Sequence, residues 1–401
     1  MAELSEGIEQ TLEAAKTASK VVALLPDAAR RQLLRQMASA LRGATEQLLA
    51  ANAGDVAALP EADPRRDRLF LTPERIEAIA ASAEVVAALP DVLWETLEAR
   101  TMPSGIRLRR VRVPLGVVAC IYEARPNVTA DIAGLCLRTG NAAVLKGGKE
   151  AARSNAAIAD VITGVLRAEG LPEAAVTLLP STHEASQALM MAEGLVDVLI
   201  PRGSARLIRA VREQARVPVI ETGAGVCHTY VHEDAEIALA ARVIANAKMR
   251  RVSVCNALDC VLVHRALEPQ LEALLAPCRA AGAQVHTAPE DWGREWLSPN
   301  LSVRVVDSLD AALAHIARFG SGHSEAILTQ SPEVAARFQR EVDAACVYVN
   351  TSTAFTDGGE FGLGAEVGIS TQKLHARGPM GLMALTTYKW LIESHGAIRS
   401  R

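Results

Sequence analysis

Short apolar runs alternate with helix-length amphipathic stretches over most of the chain, and this alternation limits the fold more than any other feature. Residues 117–121, 141–145, 176–179, 196–200 and 217–220 are strand-length and rich in valine, isoleucine and leucine. Between them, residues 128–137, 154–166, 184–191 and a stretch from Gly203 and Ser204 to Gln214 read as helices, the second capped by Ser154. Strands this apolar expose neither face, so they belong inside a parallel sheet covered by helices on both sides. A second series follows Cys255: strands at 260–263, 302–306, 325–328 and 346–349, helices at 270–280, 309–318 and 332–342. The chain is therefore expected to be α/β, with two doubly wound parallel-sheet domains.

Residues 5–95 read as helices punctuated by turn residues, and Thr72-Pro73 fits an N-cap followed by a first-turn proline. Residues 106–113 alternate apolar and basic side chains, the pattern of a strand with one wet face. A C-terminal stretch, 382–392, has a similar strand-like portion after the glycine-rich loop 357–368. These two segments suggest a small β flap used for homo-oligomer formation by sheet extension. The partition expected is a dinucleotide-binding domain from 1–100 and 115–225 and a catalytic domain from 226–355. Segment 356–379 returns to the first domain, and 101–114 with 380–401 form the oligomerisation strands.

Half the 401 residues are apolar and the formal charge is −4 with no cationic block, which argues against nucleic acid as a partner. No apolar run reaches membrane-spanning length, and the acidic N-terminal stretch lacks a signal-peptide profile, so a cytoplasmic protein away from membranes is expected. The seven cysteines are irregularly spaced and read as reduced thiols. His228, His323 and His375 have no metal-ligand spacing, and no metal is expected.

Cys255 stands out among the thiols. Arg250 and Arg251 precede it, and a helical-looking stretch follows; cations and a helix N-terminus both favour a thiolate. Glu221, 34 residues earlier, is a candidate general base for the thiol proton. Cys260 is a second thiol able to pair with Cys255 under oxidation. Two turns could take phosphates. Lys146, Gly147, Gly148 and Lys149 end one strand; Gly203 and Ser204 follow another and open a helix, whose free N–H groups favour an anion. Both turns should lie at the carboxyl edge of one sheet, where ligands bind. Asn127, after a third strand, could donate to an oxyanion or cap the next helix. Arg125 in the same loop and His323 in GSGHSE are candidates to face substrate.

At these residues the chain resembles the aldehyde dehydrogenase superfamily. Within it the likeness is to the branch that reduces L-glutamyl 5-phosphate to glutamate 5-semialdehyde in proline biosynthesis. The stretches that carry this are YEARPNVTAD (122–131), VIETGAGVCH (219–228), VCNA (254–257), GSGHSEAI (320–327) and VNTST (349–353). The resemblance implies an aldehyde dehydrogenase-like fold and an NADP-dependent oxidoreductase. It implies Cys255 as nucleophile, Asn127 as oxyanion donor and Glu221 as base. It gives Lys146 the adenosine ribose, Gly203 and Ser204 the pyrophosphate, and Glu295 the nicotinamide ribose. Lys149 falls where NAD-preferring relatives carry a glutamate, which favours NADP(H). Glutamate 5-kinase, the source of the acyl phosphate, is an implied partner. The alternative is another NADP-linked aldehyde dehydrogenase.

Overall fold

Two parallel sheets, one in each of two units, account for the alternation. The computed structural model describes residues 6–61, 63 and 65–399, so Met1 to Ser5 of the acidic N-terminal stretch lie outside the described residues. The first unit takes Met1–Glu221, Leu363–Gly368 and Met380–Arg401; the second takes Thr222–Gly362 and Ile369–Pro379. The segment 356–379 thus divides, and only Leu363–Gly368 joins the first unit.

Helices α1 (Glu6–Val22), α2 (Asp27–Gly43), α3 (Thr45–Ala57), α4 (Arg66–Leu69) and α5 (Pro73–Ala88) open the first unit. The α5 start is as the sequence predicts: Thr72 Oγ1 accepts the Arg75 N–H at 3.2 Å and Pro73 follows it. Two antiparallel strands come next, β1 (Thr96–Thr101) and β2 (Arg107–Pro114). The sheet is then built by β3 (Val117–Tyr122), α6 (Asn127–Arg138), β4 (Ala142–Lys146), α7 (Ala152–Ala168), β5 (Val176–Leu178), α8 (His183–Met191), β6 (Val198–Arg202) and α9 (Ala205–Gln214). Its parallel strands run β5-β4-β3-β6. Val117, Ala119 and Ile121 share a core with Leu12 of α1 and Leu189 of α8, while α6 and α7 pack on the sheet as well.

Two expectations change here. Residues 217–220 form only an isolated bridge, Val219 to Leu199, because Pro218 has no amide to donate to a ladder. Ser154 does not cap α7; it lies inside the helix. The capping group is the Asp55 carboxylate of α3, which accepts the N–H of Arg153 (3.2 Å) and of Ser154 (2.8 Å) and the Ser154 hydroxyl (2.7 Å). A cap of this kind contributes about 1–2 kcal/mol.

The second unit contains β7 (Cys227–Val231), α10 (Ile237–Met249), β8 (Leu258–His264), α11 (Leu271–Ala280), β9 (Gln284–His286), β10 (Asn300–Val306), α12 (Leu309–Phe319), β11 (Ser324–Leu328), α13 (Pro332–Glu341) and β12 (Cys346–Val349). The parallel order is β12-β11-β7-β8-β10-β9. One face packs Val231, Val261 and Val263 against α10 and α11; the other packs Tyr230, Leu262 and Ile327 against α12 and α13. Its first βα pair, β7 and α10, precedes Cys255 and was not foreseen. The chain then enters β8, so no helix follows Cys255. A two-stranded pair, β13 (Ile369–Ser370) and β14 (Gly378–Pro379), also belongs to this unit.

The last strand, β15 (Thr386–Glu393), pairs antiparallel with β2 over Thr386 to Glu393 and completes the sheet β1-β2-β15. The basic residues of β2 have aromatic neighbours: the Arg110 guanidinium lies 4.9 Å from the Tyr388 ring centroid. Strand β1 gives no signal of its own, since Thr96–Thr101 is mostly exposed and lacks apolar alternation. Among the described residues no helix is long and apolar enough to cross a membrane.

Candidate active site

In the first unit, the sheet order places a switch point between β3 and β6, where the connections leave in opposite directions. Such a crevice at the carboxyl ends of the strands is the ligand site of this architecture. The loop after β3 holds Glu123, Ala124 and Arg125. Ala124 has φ 36°, a conformation that costs a side-chain-bearing residue energy. The Glu150 carboxylate accepts its N–H at 2.8 Å and so holds the turn. Arg125 is half-buried in this loop. Pro126 is the N-cap of α6, and Asn127 is its first helical residue, with Nδ2 donating to Asp131 Oδ2 at 2.8 Å. Burial raises the Asp131 carboxyl to about 6, against the pull of that bond.

After β4, Gly147 passes so close to Asn155 that a Cβ would sit 2.0 Å from its Nδ2, and a Cβ on Gly148 would sit 2.3 Å from Glu150 Oε1. Neither position has space for a side chain. Lys146 is half-buried; burial lowers its pKa, while Glu150 and Glu123 act to raise it. Lys149 is exposed. After β6, Ser204 caps α9 by accepting the Leu207 N–H at 3.3 Å. Its own N–H and hydroxyl donate to Glu123, at 2.7 and 3.1 Å. Glu221 ends the first segment of the unit, half-buried and 3.6 Å from Arg212 Nη1.

In the second unit, Cys255 lies on the loop entering β8, at the amino edge of the sheet. It is half-buried, and the other six thiols are buried. Two neighbours fix its main chain. The Cys227 thiol donates to the Cys255 carbonyl at 3.3 Å. Gly225 crosses it so closely that a Cβ there would lie 1.6 Å from the same oxygen. The Gly225 N–H donates to Glu295 Oε1 at 2.9 Å. Burial raises the Glu295 carboxyl, and the Gly225 bond opposes this. The next residue, Asn256, donates its amide to the carbonyls of Ala354 (3.3 Å) and Thr356 (3.0 Å), which anchors the loop.

His323 differs from expectation. It is fully buried, with Nδ1 2.8 Å from Ser324 Oγ and 3.8 Å from Cys227 Sγ. Burial lowers its pKa to about 4, so near neutral pH it is uncharged. The thiol touching Cys255 is likewise Cys227, while Cys260 lies inside β8 with its sulfur 3.8 Å from His315 Nε2. His228, Cys260 and His315 bring ligand-type atoms within 4.8 Å of one another. Arg304 stands 2.7 Å from His315 Nδ1 and can only donate. The ring proton is thereby placed on Nε2, which aims an N–H rather than a lone pair at the other two residues. Gly225, Cys227, Glu123 and Glu150 were not singled out in the sequence. Each acts through a partner distant in the chain, and only the motif strings around them pointed to these places.

The aldehyde dehydrogenase family model matches residues 2–286. A gamma-glutamyl phosphate reductase of Chlorobium limicola is 48% identical over 417 residues, covering 99% of this chain and 100% of the relative. One of Bacteroides fragilis is 47% identical, covering 98% and 99%. The crystal structure of gamma-glutamyl phosphate reductase from Thermotoga maritima superposes with a TM-score of 0.94 at 36% identity, covering 98% of this chain and 99% of that one.

Proposed function

The chain belongs to the aldehyde dehydrogenase family and, within it, to the gamma-glutamyl phosphate reductases, and on that premise we propose that it reduces L-glutamyl 5-phosphate to glutamate 5-semialdehyde with NADPH, releasing phosphate, as a cytoplasmic step of proline biosynthesis. The observation that supports this most directly is Cys255: its main chain is fixed by Gly225 and Cys227, and its sulfur alone among seven is not buried.

The Cys255 thiolate attacks the acyl carbon, and the acyl–oxygen bond breaks with its electron pair leaving on phosphate. The product is a thioester on Cys255, and one difficult displacement is divided into two easier ones. A bound nicotinamide supplies the hydride that reduces this thioester. Collapse of the resulting thiohemiacetal returns the C–S electron pair to Cys255 and releases the aldehyde. In this reading Asn127 stabilises the oxyanion and Glu221 takes the thiol proton, while Arg125 serves the substrate; the buried His323 is left to pack beside Cys227. Asn127 spends one amide N–H on Asp131 and has a second to donate, and Glu221 lies 3.6 Å from Arg212 Nη1.

The residues at the first sheet's carboxyl edge fit a dinucleotide: a glycine turn with no space for a side chain, a helix N-terminus, and Lys146. Lys146 would hold the adenosine ribose and Gly203 with Ser204 the pyrophosphate; Gly147 and Gly148 form the glycine turn, and Glu295 would hold the nicotinamide ribose. The exposed Lys149 would pair with a 2′-phosphate. Lys149→Glu should lower kcat/KM for NADPH by about tenfold or more and raise that for NADH. Steady-state rates with both cofactors check this, and an unchanged ratio removes Lys149 from cofactor choice.

The reaction itself is tested in reverse, by phosphate-dependent reduction of NADP with glutamate 5-semialdehyde. No rate with that pair, and a good rate with simple aldehydes lacking phosphate, would replace the reading by another NADP-linked aldehyde dehydrogenase. The sheet β1-β2-β15 has edge strands β1 and β15 and exposes Tyr388, Trp390 and Ile392. These edges support a homo-oligomer built by strand addition. Light scattering should give a multiple of 42.5 kDa, and a monomer mass would end that proposal.

A further inference from the structure

Glu123 occupies the groups that a cofactor phosphate would need. Its carboxylate takes the Ser204 N–H at 2.7 Å and the Ser204 hydroxyl at 3.1 Å, at the first turn of α9. Gly203 makes room for it: a Cβ there would lie 2.5 Å from Glu123 Oε2. The main chain of Glu123 is anchored, its N–H donating to the Arg202 carbonyl at 3.1 Å, so only the side chain is left to move. The residue therefore bridges the ends of β3 and β6 at the switch point itself, where helix dipole and free N–H groups favour an anion. A carboxylate and a phosphate cannot share that turn, because both are anionic and both need the same two donors.

We propose that Glu123 is an internal anion that fills the pyrophosphate turn in the absence of cofactor and competes with it. This carboxylate then sets how tightly the dinucleotide is held and how readily it leaves. Lys146 and Arg65 lie within electrostatic reach of both Glu123 and Glu150, so a displaced carboxylate meets cations nearby. Glu150 has a different task, since it holds the Ala124 turn. The inference rests on the proposal that Gly203 and Ser204 receive the cofactor's phosphates.

The test is NADPH titration by fluorescence, with thermal unfolding of the cofactor-free proteins measured alongside. Glu123→Gln keeps the side-chain length and removes the charge. It should tighten NADPH binding by about three- to tenfold and lower the cofactor-free melting temperature, because a charged contact to α9 is lost. Opposite signs in affinity and stability are the signature of competition; a residue that merely supported the turn would lose both. Unchanged or weaker NADPH binding by E123Q overturns the inference. Glu123→Asp withdraws the charge by one methylene, should tighten binding less, and carries the same test if the amide form does not fold. Lys146→Ala decides the underlying reading separately: no loss of NADPH affinity there removes the proposed cofactor edge, whatever E123Q does.

Discussion

Cys255→Ala loses turnover by about a thousandfold or more while binding NADPH as the parent does. The asymmetry follows from where the residues lie. The proposed cofactor edge is built in the first unit, from β3, β4 and β6, whereas Cys255 lies in the second, on the loop into β8. The substitution removes one sulfur and leaves the fixing contacts in place, because Cys227 and Gly225 touch the main-chain carbonyl rather than the side chain. Folding should therefore survive, which a parental melting curve would show. Steady-state rates with the acyl phosphate and a fluorescence titration of NADPH give the two readouts. Residual reduction above about a hundredth of the parental rate is more than an enzyme without its nucleophile retains, and would eliminate the thioester route.

Gly225→Ala should damage the same site through the backbone. Gly225 is not in a left-handed conformation, so alanine meets no torsional objection. The objection is space. A Cβ would lie 1.6 Å from the Cys255 carbonyl oxygen, 2.5 Å from its carbon and 2.9 Å from its Cα, and no side-chain rotation relieves a clash with main chain. One loop must retreat. That costs about 1–3 kcal/mol of stability, loosens the Gly225 contact to Glu295, and displaces the sulfur. A displacement of about 1 Å at a reacting atom costs roughly a hundredfold in rate. Gly293→Ala is the internal control. Its Cβ would make an ordinary contact, with its nearest neighbour, Phe319 Cδ1, at 3.4 Å. Equal kcat/KM for G225A and the parent would show that this crossing does not position the nucleophile.

Much of the architecture was legible because burial on both faces forces strands such as Val117–Tyr122 to be continuously apolar. Thr72-Pro73 was legible because a cap and a first-turn proline are local signals. The misreadings have a common cause. Ser154 carries a cap-forming side chain, but the cap at α7 is Asp55, 99 residues away in sequence. Strand β1 exists because β2 is beside it. Residues 217–220 have strand composition, but a proline removes the ladder. At the site, motif strings led to Cys255, while the local reason was mistaken, since a strand and not a helix follows. What fixes Cys255 is Cys227, 28 residues away, and what sits on Ser204 is Glu123, 81 residues away. No periodicity encodes either meeting.

The burial of the other thiols has a chemical consequence beyond packing. Burial raises the thiol pKa of Cys120, Cys136, Cys227, Cys260 and Cys278, so these sulfurs are both shielded and protonated. Thiol-seeking electrophiles in a cell, such as quinones and enals, therefore meet this protein at a single cysteine. That sulfur is the one proposed to carry the acyl group. Covalent injury would thus fall on the working atom first, and an acyl group already seated there would shield it from attack.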